Sequence, residues 1–446
     1  MKQIYIGNVL EAYYRSYQRL NRKDKEYWME YDKLDNNRSL LYGGDNKAII
    51  TPTPIQPAHL EFTCDLSGWK NVINLFPQQS TESICSDLIN DAKINRQVLK
   101  LIEDNPGIEI IPYRHTEEFY KFIDYLNERK LRFKLPETLP GEFRFVESYF
   151  HSKRGFRHLW EMIKDDSLDI GIPEGFITAD REEAIQAAKY FKANQKDFVF
   201  KYNRGVQGVG VLLNNIADLP NDSAELEKSL YKMLEDDIWL EGCIVVEQKI
   251  DVDVTVLGGS PNVEMKILEN GDVTESYACE QVLDKDRKTF MGVGINKEVH
   301  KNTYMKTAFK AAKRYGQKLS DMGYRGVFDM DLVISKDRKL YAVEANLRRT
   351  GGTHIHEFCE TLLGSDYMFN YCVKSYETKT GQNGSVLYEE IRERLVDLMV
   401  TKERNQGLIF ANPDFLKMGH LVLMLISDSR AGLADLEKRI TERVNV

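Results

Sequence analysis

Along the chain the apolar residues fall into short runs separated by polar, proline- and glycine-marked stretches. KQIYIGNV, NVINLF (71–76) and GIEIIPY (107–113) read as strands, while 83–101 and 117–129 carry helical spacing. The stretch TPTPIQPAH between them reads as a loop. Strands alternating with helices predict an α/β domain with a largely parallel sheet over 1–140, closed by the proline-rich boundary KLPETLPGEFR (134–144). Beyond it the texture shifts to α+β. Helices are expected over 152–164 and 182–194. Five strand-like runs follow with little helix between them: DFVFKY, VGVLLNN, IVVEQKI, VTVLGG and VEMKIL. The segment 302–322 places Met305, Ala308, Phe309, Ala312, Tyr315 and Leu319 on one helical face. Lys306, Lys310, Lys313 and Arg314 fall on the solvated one. The run GHLVLMLIS and a closing helix over 433–443 suggest a small C-terminal subdomain, 371–446.

Composition narrows the class. The 446 residues suffice for two or three domains, and 42% hydrophobic content supplies a sizeable core. A net charge of −8 argues against nucleic acid as a partner. The six cysteines (Cys64, Cys85, Cys243, Cys279, Cys359 and Cys372) include no CxxC pair, which fits reduced thiols better than a zinc site or a disulfide framework. MKQIYIGNVL lacks a signal-peptide pattern and no apolar run reaches the ~20 residues of a membrane helix, so a cytoplasmic protein without a membrane partner is expected.

Chemistry concentrates in RGVFDMDLVISKDRKLYAVEANLRR, which reads as a hairpin. With a four-residue loop, 336–339, Ser335 pairs with Leu340, Asp331 lies across from Glu344, and Asp329 from Asn346. Alternation then sets Glu344, Asn346 and Arg348 on one face. Like charges placed opposite one another are destabilising unless a cation sits between them. Oxygen ligands in this number suit Mg²⁺, which takes one or two carboxylates and completes its shell with water and phosphate. The set Asp331, Glu344, Asn346 and Arg348 therefore reads as a metal–phosphate platform, flanked by Asp329.

Two further stretches fit the same reading. In FVFKYNRGVQGVGVLL a strand carrying Lys201 runs into Arg204, Gly205, Gly208 and Gly210 and then into a second strand. The lysine precedes the glycines and no helix follows, so this is neither a P-loop nor a dinucleotide fingerprint. It is a hairpin flap whose backbone N–H groups can approach phosphates. In IVVEQKIDVDVTV an apolar strand ends in Glu247, Gln248, Ile250, Asp251 and Asp253, a backbone edge suited to an adenine with an acid for ribose hydroxyls.

In this order, the strand–lysine–flap, the V-V-E hinge and D…E-x-N-x-R resemble the ATP-grasp superfamily of ligases over roughly 149–364. EANLRR followed by TGGTH is similar to peptide ligases of the pheganomycin-ligase type. The resemblance implies an ATP-grasp fold over 141–370, two α+β subdomains clasping ATP with a lid at about 175–250, preceded by an α/β pre-ATP-grasp domain. It assigns Lys153 and Lys201 to ATP phosphates, Gly205, Gly208 and Gly210 to the flap, Glu247, Gln248 and Ile250 to adenine, and Asp253 to ribose. Asp331, Glu344 and Asn346 become ligands of two Mg²⁺ ions. Arg348 stabilises the reacting phosphate or carboxylate. Thr350, Gly351, Gly352, Thr353 and His354 become substrate contacts. His354, His356 and Cys359 are spaced too irregularly, and lack a fourth ligand, for zinc.

The implied activity is an ATP-dependent ligase joining a small carboxylate to an amine, possible amino acids or a peptide among them, through an acyl phosphate with release of ADP and phosphate. A homodimer stays open. The competing expectations are a kinase on the same nucleotide site and a non-catalytic nucleotide-binding protein.

Overall fold

A computed structural model describes residues 1–165, 167–205, 210–240, 242–283, 290–380 and 386–444. Backbone contacts divide the chain into two compact units. One comprises 1–138, 291–301 and 348–446; the other comprises 139–290 and 302–347.

The first unit contains a five-stranded parallel sheet in the order Val72–Leu75, Lys47–Ile50, Gln3–Ile6, Ile108–Pro112, Phe133–Lys134. The helices Ile84–Asn90, Ala92–Asp104 and Glu117–Glu128 bury Leu88, Ile94, Val98, Ile102, Phe119, Phe122 and Leu126 against it. Where one helix is expected over 83–101, two form. Asp91 has an extended backbone and turns its carboxylate to the amides of Lys93 and Ile94, so it ends one helix and caps the next. The interior strand Lys47–Ile50 escapes sequence reading because KAII is short and fully buried, with no alternation to mark it. The same unit holds the antiparallel strands Cys372–Lys379, His420–Ser427 and Gly407–Asn412, covered by the helices Tyr388–Leu395 and Arg430–Val444.

The second unit has two antiparallel sheets. One runs Gly175–Thr178, Ile244–Gln248, Phe198–Tyr202, Val211–Asn214. The helices Arg181–Ala193 and Ser223–Met233 pack on it around Phe191, Phe198, Leu230 and Val246. The other contains Leu340–Asn346, Gly326–Ile334, Pro261–Ile267 and Val273–Leu283 in that order. The helix Thr303–Asp321 packs against its inner strands. All six apolar residues expected on that helix's inner face are buried, and its four expected surface cations are exposed. VTVLGG, expected as a strand, is instead a turn ending in the 3₁₀ segment Leu257–Gly259, where Leu257, Gly258 and Gly259 all have positive φ. A Cβ on Gly259 would stand 2.4 Å from Val252 Cγ1, so the chain folds back too tightly there for a strand. Among the described residues no helix is long and apolar enough to cross a membrane.

Candidate nucleotide and metal site

Asp331 pairs with Glu344 and Asp329 with Asn346, as the sequence pattern implies, but by a different route. The strands begin one residue earlier, with Ile334 opposite Leu340, so the connecting loop has five residues rather than four. Ser335 accepts no ladder partner in Leu340; its amide donates to Lys339 O at 2.9 Å, and Arg338 takes a positive φ. A β-bulge then inserts Val343 between the pairs Leu332–Ala342 and Asp331–Glu344, which restores the facing of the two acids. The carbonyl of this extra residue receives Lys201 Nζ at 3.5 Å.

Asp331 sits in a net of amides. Asn262 Nδ2 donates to it at 2.7 Å and to Asp329 at 2.9 Å, Asn346 Nδ2 donates at 3.2 Å, and Gln281 Nε2 also donates to it. Asn262 and Gln281 come from neighbouring strands, and sequence reading did not single them out. Glu344 forms an ion pair with Lys153, whose Nζ also reaches Gly205 O at 3.4 Å. The lysine begins the helix Lys153–Ile163, capped by Ser152 Oγ on the Gly155 amide at 3.0 Å. Its own amide donates to Asn203 O at 3.0 Å, tying the helix start to the chain just beyond Tyr202.

Lys201 forms an ion pair with Glu247, and Arg157 Nη1 donates to the same carboxylate at 3.1 Å. Glu247 is thus the buried centre of a triad, with Lys201 on the adjacent strand and Arg157 on the helix Lys153–Ile163, and Arg157 is a member the sequence did not mark. Its second guanidinium nitrogen holds the carbonyls of Pro173 and Gly175 at 3.0 and 3.3 Å. Gln248 N donates to Glu174 O at 2.7 Å. After Ile250 the chain crosses to the end of the acidic hairpin: Val252 bridges Ser335, and Asp253 N donates to Ile334 O at 2.8 Å. The Asp253 carboxyl is held below its usual range by the Thr255 hydroxyl and amide, with Arg338 3.3 Å away. In the flap, Gly210 has φ +77° and its carbonyl accepts from Tyr202 N at 2.7 Å; a Cβ on it would meet Tyr202 Cβ at 2.6 Å. Gly208 lies outside the described residues.

The second unit therefore brings together Lys153, Lys201, Gly205, Glu247, Asp331, Glu344 and Asn346. Arg348 and the segment 350–354 belong to the first unit. There the Arg348 guanidinium lies over the rings of Tyr13 and Tyr113, at 5.6 and 5.8 Å. Thr350 N is taken by Thr353 Oγ1 at 2.8 Å, which closes the turn into the helix Thr353–Leu363. His354 is buried, and burial beside Arg38 depresses its basicity, so it stands neutral.

Among the described residues no three His, Cys, Asp or Glu side chains converge. Two carboxylates with an amide oxygen nevertheless fit Mg²⁺, which leaves most of its shell to water and phosphate. With Nδ2 of Asn346 turned to Asp331, its Oδ1 is the atom suited to a cation.

No family model matches the chain. One curated relative, the L-propargylglycine–L-glutamate ligase of Streptantibioticus cattleyicolor, is 44% identical over 55 residues; the match covers 12% of this chain and only 11% of that protein. Among solved structures, the chain is similar to the biotin carboxylase–β,γ-ATP complex of Campylobacter jejuni, with a TM-score of 0.59, 12% identity, and coverage of 99% of this chain and 91% of that one. It is also similar to the ADP complex of N5-carboxyaminoimidazole ribonucleotide synthetase, with a TM-score of 0.52, 12% identity, and coverage of 99% and 96%.

Proposed function

From the ATP-grasp fold of this chain, we propose that it is an ATP-dependent ligase that joins a carboxylate to an amine. The observation that carries the reading is the facing pair Asp331–Glu344, with Lys153 on one acid and Lys201 on the bulge beside it. Two cations and two acids within one unit form a platform for a metal-bound triphosphate. The three-part organisation (1–140, 141–370, 371–446) and the site roles expected from the sequence belong to the same proposal.

In this reading Asp331, Glu344 and Asn346 hold Mg²⁺, one ion or two, which neutralises phosphate charge. Lys153 and Lys201 hold phosphate oxygens, and the flap closes over them. Phosphoryl transfer calls for positioning and charge neutralisation more than for a side-chain base. A substrate carboxylate oxygen attacks the γ-phosphorus and ADP leaves. The acyl phosphate so formed has a good leaving group; an amine attacks its carbonyl, loses a proton, and phosphate departs. Exclusion of water protects the acyl phosphate from hydrolysis. The name of the curated relative joins two amino acids, which supports amino acids as substrates. The reading places the reaction in the cytoplasm.

The test is phosphate release by the purified protein with pairs of amino acids. Release that requires ATP, Mg²⁺, a carboxylate and an amine together supports ligation. A stable phosphorylated product without any amine requirement indicates a kinase, and ATP binding without turnover indicates a non-catalytic role.

A further inference from the structure

Within the second unit two neutral amides converge on one oxygen of Asp331. Asn262 Nδ2 and Gln281 Nε2 both donate to Oδ1, the first at 2.7 Å. The Asn346 amide donates to the other oxygen, Oδ2, at 3.2 Å. A carboxylate oxygen offers about two lone-pair sites, so two amides fill Oδ1. An amide oxygen turned to a carboxylate would be repelled, so charge fixes which end of each side chain faces Asp331. Both donors are neutral, so they orient this acid without the cancelling charge that Lys153 brings to Glu344.

The fold holds both amides in place. Asn262 lies directly across from Asp331 in the strand Pro261–Ile267 and is 3% exposed. Its Nδ2 also donates to Asp329 at 2.9 Å, so one amide bridges both acids. Among the described residues its buried Oδ1 has no hydrogen-bond partner. Leaving a buried acceptor unsatisfied is costly, so the two acids set the pose of this side chain, not its own oxygen. Gln281 comes from the strand Val273–Leu283. Its backbone amide donates to Ser260 O at 3.1 Å, at the start of the strand that carries Asn262.

Which oxygens a carboxylate can offer bears on which cation it holds. Mg²⁺ demands a compact, near-octahedral shell, which suits a carboxylate binding through one oxygen. Ca²⁺ takes about six to eight oxygens at longer distance and accepts both oxygens of one carboxylate. With Oδ1 filled, Asp331 meets a cation through Oδ2, on the side of Asn346. We propose that Asn262 and Gln281 are positioning residues that hold Asp331 to one-oxygen ligation and thereby select Mg²⁺ against Ca²⁺. Neither touches the cation; both act through Asp331. The selection rests on the nucleotide and metal reading above, and it adds two residues that the D…E-x-N-x-R pattern does not reach.

The experiment uses the whole protein with saturating ADP and Mn²⁺. Bound Mn²⁺ is followed by electron paramagnetic resonance while Mg²⁺ or Ca²⁺ is added in competition. Wild type is expected to yield its Mn²⁺ to Mg²⁺ at a lower concentration than to Ca²⁺. Gln281→Met keeps the length of the side chain and removes the donor. It is expected to move the ratio of the two competing concentrations towards Ca²⁺ by roughly tenfold, as for other residues that orient a metal ligand. Asn262→Leu is expected to move the ratio the same way and to lower Tm, because Asp329 loses a donor as well. Gln281 is half-buried, so its variant reports even where Asn262→Leu folds poorly. A ratio in Gln281→Met equal to wild type, or moved towards Mg²⁺, overturns the selection and leaves the ligase reading standing. An equal loss of affinity for both cations does the same, because it marks the donor as structural. Wild type that yields Mn²⁺ equally to both competitors also overturns the selection. Wild type that binds ADP but no Mn²⁺ overturns the metal reading, and the selection with it.

Discussion

Asp331 and Glu344 stand directly opposite each other on adjacent strands, and Lys153 pairs with Glu344 while three amides hold Asp331. Two facing acids are thus kept apart electrically by different partners, one by a cation and the other by neutral donors. The difference sets up distinct consequences for the two positions.

On the site roles proposed above, Asp331→Asn removes one ligand charge while relieving the like-charge contact. Phosphate release should fall on the order of 10²–10³-fold, the usual loss for a preorganised electrostatic group. Thermal unfolding should shift little, and excess Mg²⁺ should restore part of the rate. Unaltered turnover would remove Asp331 from the metal site.

Glu247 serves two cations at once, so its loss is costlier than a single broken pair. Glu247→Ala leaves Arg157 and Lys201 facing each other in a buried setting. The expected destabilisation is about 3–5 kcal/mol, as for other uncompensated buried charges. A urea midpoint close to wild type would show that the triad is not the anchor of this sheet.

Gly155 carries no Cβ because Tyr149 O occupies that place; a Cβ would stand 1.9 Å from it. Gly155→Ala must push the start of the helix Lys153–Ile163 outward, at ~1–3 kcal/mol for an overpacked site. Lys153 moves with that turn, so KM for ATP should rise together with the loss of Tm. A Tm change with no KM change would separate the helix start from nucleotide binding.

His59 is buried in the first unit, and burial depresses its ring to a pKa of about 4. Unfolded, the ring protonates near ~6.5. Below that value the unfolded chain binds a proton that the folded chain refuses, so stability falls as pH drops from about 6.5 towards about 4, by on the order of 3 kcal/mol. His59→Gln should flatten this part of the denaturation profile. An identical slope in the variant would assign the acid sensitivity elsewhere.

What the sequence by itself determined is what local periodicity can carry. Two-residue alternation in FDMDLVI and YAVEAN marks which side chains share a face, and helical spacing from Met305 to Leu319 marks a buried stripe. Alternation does not fix register: Asp331 and Glu344 are neighbours because the bulge at Val343 and the five-residue loop offset each other, in a way no local pattern reveals. The tertiary structure alone decided which distant groups complete the sites. Arg157 reaches Glu247 across 90 positions of chain, and Asn262 reaches Asp331 across 69. Arg38 and Arg348 flank one tyrosine although 310 positions separate them in the sequence. An isolated arginine or asparagine has no periodic signature, and its partner is set by how strands and helices pack. Convergence of such groups is therefore a property of the folded chain.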